Sequence, residues 1–128
     1  MQQEIKTVID NFASAALATN GPEGLNVVPI SVVNVRGDEI HLYDFFMNRT
    51  AKNIKASSLV AFTCWRDFVG VQVKAEVVYE TEGEDFDLAV KEMKERFPDR
   101  TLSGLIRLTP VEVYDVAPGA SPDDLLKV

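Results

Sequence analysis

The spacing of apolar residues along the chain predicts three helices. One lies near the amino terminus, one covers residues 48–57, and one carries an apolar stripe between residues 86 and 97 that Pro98 ends. The residues that recur at helical spacing are Ile5, Val8, Ile9 and Phe12 in the first, Ala51, Ile54 and Lys55 in the second, and Phe86, Ala89, Val90, Met93 and Phe97 in the third. Most of the chain between these helices lacks this period and has the character of strands.

Strands are predicted where β-branched and aromatic residues are bounded by turn-forming residues. We expect them over residues 13–19, 25–35, 39–45, 59–66, 69–80 and 105–116. Pro29 interrupts the second of these strands, and Pro110 implies an edge or bulge position in the last. Ser121 followed by Pro122 is typical of a helix start, so a final helical turn is expected there. Consecutive strands without strand–helix–strand alternation favour a mainly β fold with inserted α-helices, a six-stranded antiparallel barrel, over a doubly wound sheet.

Composition indicates one ordinary globular domain spanning residues 1–128. The chain has 128 residues, of which 46% are hydrophobic, and this is enough for a single core. No apolar run approaches the roughly 20 residues that a bilayer crossing needs, and the amino terminus lacks the basic and apolar regions of a secretory signal. Cys64 is the single cysteine, so no intrachain disulfide can form. We therefore expect a cytoplasmic protein that does not associate with membranes.

Charge is acidic overall but contains one basic stretch. The formal net charge of −7 argues against a nucleic-acid partner, because phosphate backbones are bound by basic surfaces. Between Asp44 and Asp67 every charged residue is nevertheless basic. These residues are Arg49, Lys52, Lys55 and Arg66. A basic stretch in an acidic chain suits one small anionic ligand better than a polymer.

The start of the second predicted helix lies in this basic stretch and is a candidate phosphate site. Asn48 is a good N-cap residue, which places Arg49 and Thr50 in the first helical turn. The first-turn amides have no partners within the helix, so a phosphate could accept bonds from them, from the Thr50 hydroxyl and from the Arg49 guanidinium. Arg49, Lys52 and Asn53 share one face of the helix. A solvated helix start with no ligand is the alternative, and spacing alone leaves both interpretations open.

This strand–turn–helix segment resembles the phosphate-binding segment of the pyridoxamine 5′-phosphate oxidase-like, FMN-binding split-barrel family. Residues 15–21 leading to residues 27–31, residues 71–76 and residues 106–112 fit the same family pattern. The resemblance runs from Phe12 to Val116 in the family's order. It implies that the predicted barrel is a split β-barrel that binds FMN.

The resemblance also implies where FMN would bind. Arg49 and Thr50 would hold its phosphate with Asn48 nearby, the second strand would line the isoalloxazine ring largely through its backbone, and the third strand would flank the ribityl chain and ring. The cofactor-binding residues implied in this way are Pro29, Ile30, Ser31, Val32, Tyr43, Asp44, Phe45, Asn48, Arg49, Thr50, Lys52 and Asn53. No residue is assigned a catalytic role.

Members of this family usually dimerise with FMN at the subunit interface, so the resemblance implies a homodimer in which Trp65, Gln72 and Lys74 are candidates to reach the partner. It also implies an oxidoreductase that moves hydride or electrons through bound FMN, from a nicotinamide nucleotide or a redox protein to a small acceptor. A non-enzymatic FMN-binding or electron-carrier protein is one alternative. A split barrel that binds a deazaflavin or haem is another. Oxidation of pyridoxamine phosphate is not expected, because the acidic ending of the chain lacks the arginines of the family's best-known enzyme.

Histidine and cysteine each occur once, and neither predicts a reactive centre. His41 lies between Ile40 and Leu42 and should face away from them by strand alternation, and no second histidine is available to share a metal. Cys64 has no basic neighbour in sequence that would activate its thiol. We interpret Cys64 as a core or interface residue and predict no metal site.

Overall fold

The computed structural model describes residues 1–119 and 125–126, which form three helices and eight strands. The helices are α1 (Gln3–Asp10), α2 (Arg49–Ala56) and α3 (Glu84–Arg96). The strands are β1 (Ser14–Thr19), β2 (Asn26–Ile30), β3 (Val33–Arg36), β4 (Glu39–Asp44), β5 (Leu59–Arg66), β6 (Val69–Glu80), β7 (Gly104–Asp115) and β8 (Leu125–Leu126). The final helical turn predicted at Ser121 and Pro122 lies outside the described residues.

The strands form one antiparallel sheet in the order β2-β1-β5-β6-β7-β4-β3, with β8 paired to β7 outside this path. The two outermost strands of the path, β2 and β3, follow one another in the chain and are joined only by Ser31 and Val32. Since two residues span a short distance, the sheet must curl until its edges approach each other at this link. The expected mainly β, antiparallel split barrel is confirmed.

The described residues have eight strands where six were predicted, because β8 was not predicted and one predicted strand is divided in two. Residues 25–35 were expected to form one strand, whereas the structure has β2 and β3 on opposite edges of the sheet. The segment has to leave the hydrogen-bonded ladder at Ser31 and Val32 because it passes from one edge to the other. Pro29, which has no N–H to donate, lies on the edge strand β2 opposite Ala16.

Buried apolar side chains fill the inside of the curled sheet. Phe62, Val73 and Leu108, from three neighbouring strands, are fully buried there. Ile5 and Ile9 project from α1 into the same core, which confirms the amphipathic helix predicted near the amino terminus. Burial of such side chains is the main stabilising contribution to a fold of this kind.

Helix α3 packs on the other side of the sheet. Its Ala89 and Met93 are buried against Tyr43 of β4, Leu105 of β7 and Val32. Strand β4 is therefore covered on both faces. This packing places the end of α3 beside the end of β4, where the candidate site lies.

Strand β7 is bent by a bulge. Lys74 pairs with Glu112 and the next residue, Ala75, pairs with Pro110, so Val111 is left over on β7. The bulge position predicted for Pro110 is confirmed. None of the helices in the described residues has the length and apolar character needed to cross a membrane.

Candidate functional site

A cleft of about 630 Å³ opens where β2, the end of β4 and the start of α2 meet. Its volume is in the range of sites that hold a cofactor or drug-sized ligand. The residues that line it are Asn26, Val27, Val28, Pro29, Ile30, Ser31, Val32, Tyr43, Phe45, Phe46, Met47, Asn48, Arg49, Thr50 and Arg100. Among these described residues none is Asp or Glu, although the whole chain is acidic. The cleft therefore favours an anionic ligand.

The polar end of the cleft is the first turn of α2. The first hydrogen bond of this helix runs from the Lys52 amide to the Asn48 carbonyl at 3.1 Å, so the amides of Arg49, Thr50 and Ala51 have no acceptor within the helix. Arg49 is exposed, and its guanidinium has no hydrogen bond or ion pair with the described residues. Free amides, the positive end of the helix dipole and a guanidinium together form an arrangement that binds phosphate.

Asn48 occupies the N-cap position as expected, but its side chain does not cap the helix. Its backbone is in the α region, with φ −99° and ψ −66°, whereas capping side chains usually need an extended backbone to reach the first-turn amides. The Asn48 side chain lines the cleft. The first-turn amides are consequently left for a ligand.

The Thr50 hydroxyl is held by a residue that the sequence did not single out. The Asn26 side-chain amide donates a 2.8 Å hydrogen bond to Thr50 Oγ1. In this bond the Thr50 hydroxyl is the acceptor. Its own proton is not used by the bond and can be donated to a ligand. Asn26 lies 24 positions before Thr50 and pairs with it only through the fold, so local sequence gave no signal for it.

Lys52 and Asn53 share the helix face of Arg49 but do not line the cleft. Asn53 is fully buried, where its side chain accepts a bond from the Glu23 amide and donates to Thr19 Oγ1 and the Gly24 carbonyl. Lys52 Nζ lies 3.7 Å from Glu23 Oε1. The turn between β1 and β2 covers this part of the helix. Contact of Lys52 and Asn53 with the cofactor stays a prediction, although neither residue lines the cleft.

The Asp44 side chain is hydrogen-bonded to other residues of the protein. The residue is 2% exposed, and its carboxylate accepts hydrogen bonds from the Met47 amide at 2.7 Å and from the Tyr79 hydroxyl at 2.5 Å. Burial and then the Asp44 carboxylate raise the pKa of Tyr79 far above its usual range, so this phenol remains a donor at neutral pH. Asp44 does not line the cleft, and the direct cofactor contact expected for it stays a prediction.

The remaining wall of the cleft is largely apolar and aromatic. Phe45 lies 5.8 Å from Phe97, edge to face, and the Arg100 guanidinium lies over both rings. Tyr43 accepts a 2.7 Å hydrogen bond from the Asn34 side chain, and burial raises the pKa of its phenol. Arg100 was missed by sequence reasoning because the fold brings it to the cleft from the connection after α3.

Nine of the twelve predicted cofactor-binding residues line the cleft. They are Pro29, Ile30, Ser31, Val32, Tyr43, Phe45, Asn48, Arg49 and Thr50. These residues come from β2 and the link after it, and from β4, the turn after it and α2, two segments that are separated in sequence and adjacent in space. Their contact with FMN stays a prediction.

His41 and Cys64 lie outside the cleft. As predicted, His41 faces away from the barrel core and is 3.0 Å from Glu39. Arg107 joins this group by ion pairs to Glu39, Glu80 and Asp85, and we call these five residues the Arg107 cluster. Cys64 is fully buried, and burial raises the pKa of its thiol to about 12, which confirms it as a core residue.

Trp65, Gln72 and Lys74, proposed from the resemblance to reach a second subunit, lie on β5 and β6. All three side chains are exposed on this chain, and Lys74 Nζ lies 3.7 Å from Glu112 Oε2. Their contact with a partner subunit stays a prediction.

The sequence matches the family model described as Pyridoxamine 5′-phosphate oxidase over residues 1–117. No curated protein sequence gives a significant match. Among solved structures, HupZ of Group A Streptococcus has a TM-score of 0.81 and 18% identity, over 94% of this chain and 98% of that chain.

An FMN-binding protein from Syntrophomonas wolfei has a TM-score of 0.77 and 23% identity, over 90% of this chain and 85% of that one. HutZ, described as the haem storage protein of Vibrio cholerae, has a TM-score of 0.69 and 19% identity, over 89% and 93%. At these identities the similarity shows a shared fold.

Proposed function

Because the chain belongs to the pyridoxamine 5′-phosphate oxidase family, we propose that its cleft binds FMN and that the protein is a flavin-dependent oxidoreductase. The observation that carries this proposal is the first turn of α2, where Arg49 and Thr50 line a cleft without carboxylates and the first amides have no acceptor within the helix. Bound FMN would supply the hydride and electron chemistry. The residues of the chain bind, orient and shield it.

Arg49, Thr50 and the first-turn amides would hold the phosphate. A guanidinium offers two parallel donors to a phosphate, and hydrogen bonds to charged groups are the stronger ones. Asn26 donates to the Thr50 oxygen, so the hydroxyl proton would be available to the phosphate. The phosphate would therefore be bound with little reorganisation of the site.

The ring would lie along β2, where backbone groups are available. Within the described part of the chain, β2 is an edge strand that pairs with β1 alone, so its outward backbone groups have no partner strand there. A flavin ring carries both donors and acceptors along its polar edge and can use such groups. The Phe45 and Tyr43 side chains would shield the bound ring from water.

Haem is a weaker candidate for this cleft. The single histidine, His41, is in the Arg107 cluster and does not line the cleft, and Cys64 is in the barrel core. Tyr43 lines the cleft, but its raised pKa opposes the anionic form that ligates haem iron. Of the residue types that ligate haem iron, this leaves Met47 in the wall of the cleft. The donor set favours a phosphate-bearing flavin.

We also propose that the protein acts as a homodimer with FMN at the interface. Leu25, Val27 and Phe46 are 87%, 67% and 82% exposed, and the last two line the cleft. Large exposed apolar side chains beside a site are typical of an interface. A second subunit seated there would cover the open side of the cleft.

The electron donor we propose is a nicotinamide nucleotide or a redox protein of the cytoplasm, and the acceptor is a small molecule. Nothing in the cleft has the nucleophile and base arrangement that covalent catalysis needs, which suits a site whose cofactor carries the reaction. An FMN-binding electron carrier would have the same site. It differs in lacking steady-state turnover.

The test begins with the absorbance spectrum of the purified protein and identification, by mass spectrometry, of the ligand released on denaturation. We expect FMN in the preparation or, in a flavin-free preparation, stoichiometric uptake of added FMN. Release of a deazaflavin or haem in place of FMN, with no uptake of FMN, would contradict the assignment. NADH or NADPH oxidation with a small acceptor then separates an oxidoreductase from a carrier.

A further inference from the structure

The turn between β4 and α2 determines how the phosphate site is presented. This turn, residues 45–48, connects the buried end of β4 to Arg49. Among the described residues, one side-chain hydrogen bond reaches its backbone, from the Met47 amide to Asp44 Oδ1 at 2.7 Å. The orientation of the turn therefore depends on how firmly the Asp44 carboxylate is held.

Asp44 is held by Tyr79. The Tyr79 hydroxyl donates to Asp44 Oδ2, so that each carboxylate oxygen has one partner, and the Asp44 backbone carbonyl accepts a 2.8 Å bond from the Ser103 amide. A buried carboxylate with both oxygens bonded is fixed in position. Tyr79 thus acts on the turn through Asp44.

Tyr79 also contacts α2 and depends on a glycine for its position. The Lys55 ammonium lies 4.7 Å from the centre of the Tyr79 ring. Gly104, paired with Asp44 across β4 and β7, leaves room for the phenol, since a Cβ there would lie 2.2 Å from Tyr79 Cζ. One tyrosine from β6 therefore links the turn and the helix that together form the phosphate site.

We propose that Tyr79 and Asp44 are positioning residues that fix the β4–α2 turn, so that Arg49 and the first-turn amides of α2 are preorganised for the phosphate of the ligand. This inference rests on the proposed function for the identity of the ligand. It assigns Asp44 a role through the turn, not a contact with the flavin. Preorganisation of this kind lowers the cost of binding without adding contacts.

The first test needs no flavin. In FMN-free protein, amide hydrogen exchange measured by NMR should show Met47 about tenfold less protected in Tyr79→Phe than in the parent, because the acceptor of that amide is no longer held. Thr63→Val is the control, since it removes a 2.9 Å bond from the Thr63 hydroxyl on β5 to the Val71 carbonyl on β6, outside the cleft lining. Unchanged Met47 protection in Tyr79→Phe would overturn the proposal, whether or not the protein binds FMN.

The second test compares ligands with and without a phosphate. For Tyr79→Phe and Asp44→Ala we expect the affinity for FMN to fall about three- to tenfold, and the affinity for riboflavin to change by less than about twofold. Asp44→Asn, which keeps an acceptor for Met47 and a polar partner for Tyr79, should restore most of the FMN affinity. Equal losses for FMN and riboflavin would show a general structural role and contradict the proposal. A parent protein that binds neither flavin would instead refute the proposed function, while leaving the exchange test in force.

Discussion

Two arginines of this molecule, Arg107 and Arg49, have opposite electrostatic surroundings. Arg107 lies on the outer side of β7, 2.9 Å from Glu39 and 3.2 Å from Asp85, with Glu80 also paired to it. Arg49, at the start of α2, has no carboxylate beside it in the cleft. A guanidinium whose charge is already balanced stabilises the fold, whereas one without a partner is available to an anion.

The local charge pattern explains this difference. Arg107 faces strands and a helix start that carry acids, while the stretch from Arg49 to Arg66 is free of them. Overall charge therefore says little about either region. If the comparison is right, removing Arg49 should affect ligand binding and leave stability nearly unchanged, and removing Arg107 should do the reverse.

Arg49→Ala is expected to have the largest effect. FMN binding should weaken by about 1.5–3 kcal/mol, the usual contribution of a charged hydrogen bond. Titration calorimetry gives the affinity, and urea unfolding of the FMN-free protein should show a change in stability of less than about 0.5 kcal/mol. Wild-type affinity for FMN in this variant would remove Arg49 from the phosphate site.

Arg107→Met should have the next largest effect, this time on folding. Glu39, Glu80 and Asp85 would be left close together without their cation, and we expect a loss of about 1–2 kcal/mol in the free energy of unfolding, reduced by the partial exposure of the cluster. Urea unfolding measures it. FMN affinity should stay within about twofold of the parent. A large loss of FMN affinity with unchanged stability would reverse the assignment of the two arginines.

Lowering the pH should weaken the ion pairs of the Arg107 cluster, because Glu39 becomes protonated. Burial opposes ionisation of Glu39, but hydrogen bonds from His41 and Arg107 outweigh it and hold the pKa of this carboxyl below its ordinary value of 4.5. Its contribution to stability is therefore complete above that value and is lost as the pH falls through the folded-state pKa. Between about pH 5 and pH 3, Glu39→Gln should lose less stability than the parent. Parallel stability profiles for the two proteins would contradict this coupling.

Lys52→Ala should have the smallest effect and serves as the matched control for Arg49. Both residues are basic, lie on α2 and share a face, but Lys52 is exposed and paired loosely with Glu23. We expect changes of less than about 0.5 kcal/mol in both FMN binding and stability. A loss of FMN affinity as large as that of Arg49→Ala would mean that net basic charge, not the geometry of the cleft, attracts the ligand.

The elements that carry a local period were predicted from sequence alone. The apolar stripes of α1 and α3 and the β-branched and aromatic content of β5 and β6 are local properties of the sequence, and these elements appear close to their expected limits. The break at Ser31 and Val32 was missed because strand-forming residues continue through it. It arises from the curl of the whole sheet, which local sequence does not record.

The residues of the candidate site likewise divide into those that local sequence predicted and those that only the fold reveals. Arg49 and Thr50 were predicted because a strand end, a helix start and a basic residue occur together in one short segment. Helix spacing predicted the face on which Asn53 lies but not what covers that face, and here the β1–β2 turn does so. Asn26 and Arg100 were not found, since only the fold brings them to the cleft.

The central claim is that the start of α2 binds a phosphate group. Equilibrium binding of FMN and of riboflavin to the same flavin-free protein tests it most directly, because these ligands share the ring and differ only in the phosphate. The account predicts that FMN binds at least about tenfold more tightly, and that Arg49→Ala removes most of this difference while Lys52→Ala preserves it. Equal affinities for the two ligands in the parent protein would contradict it.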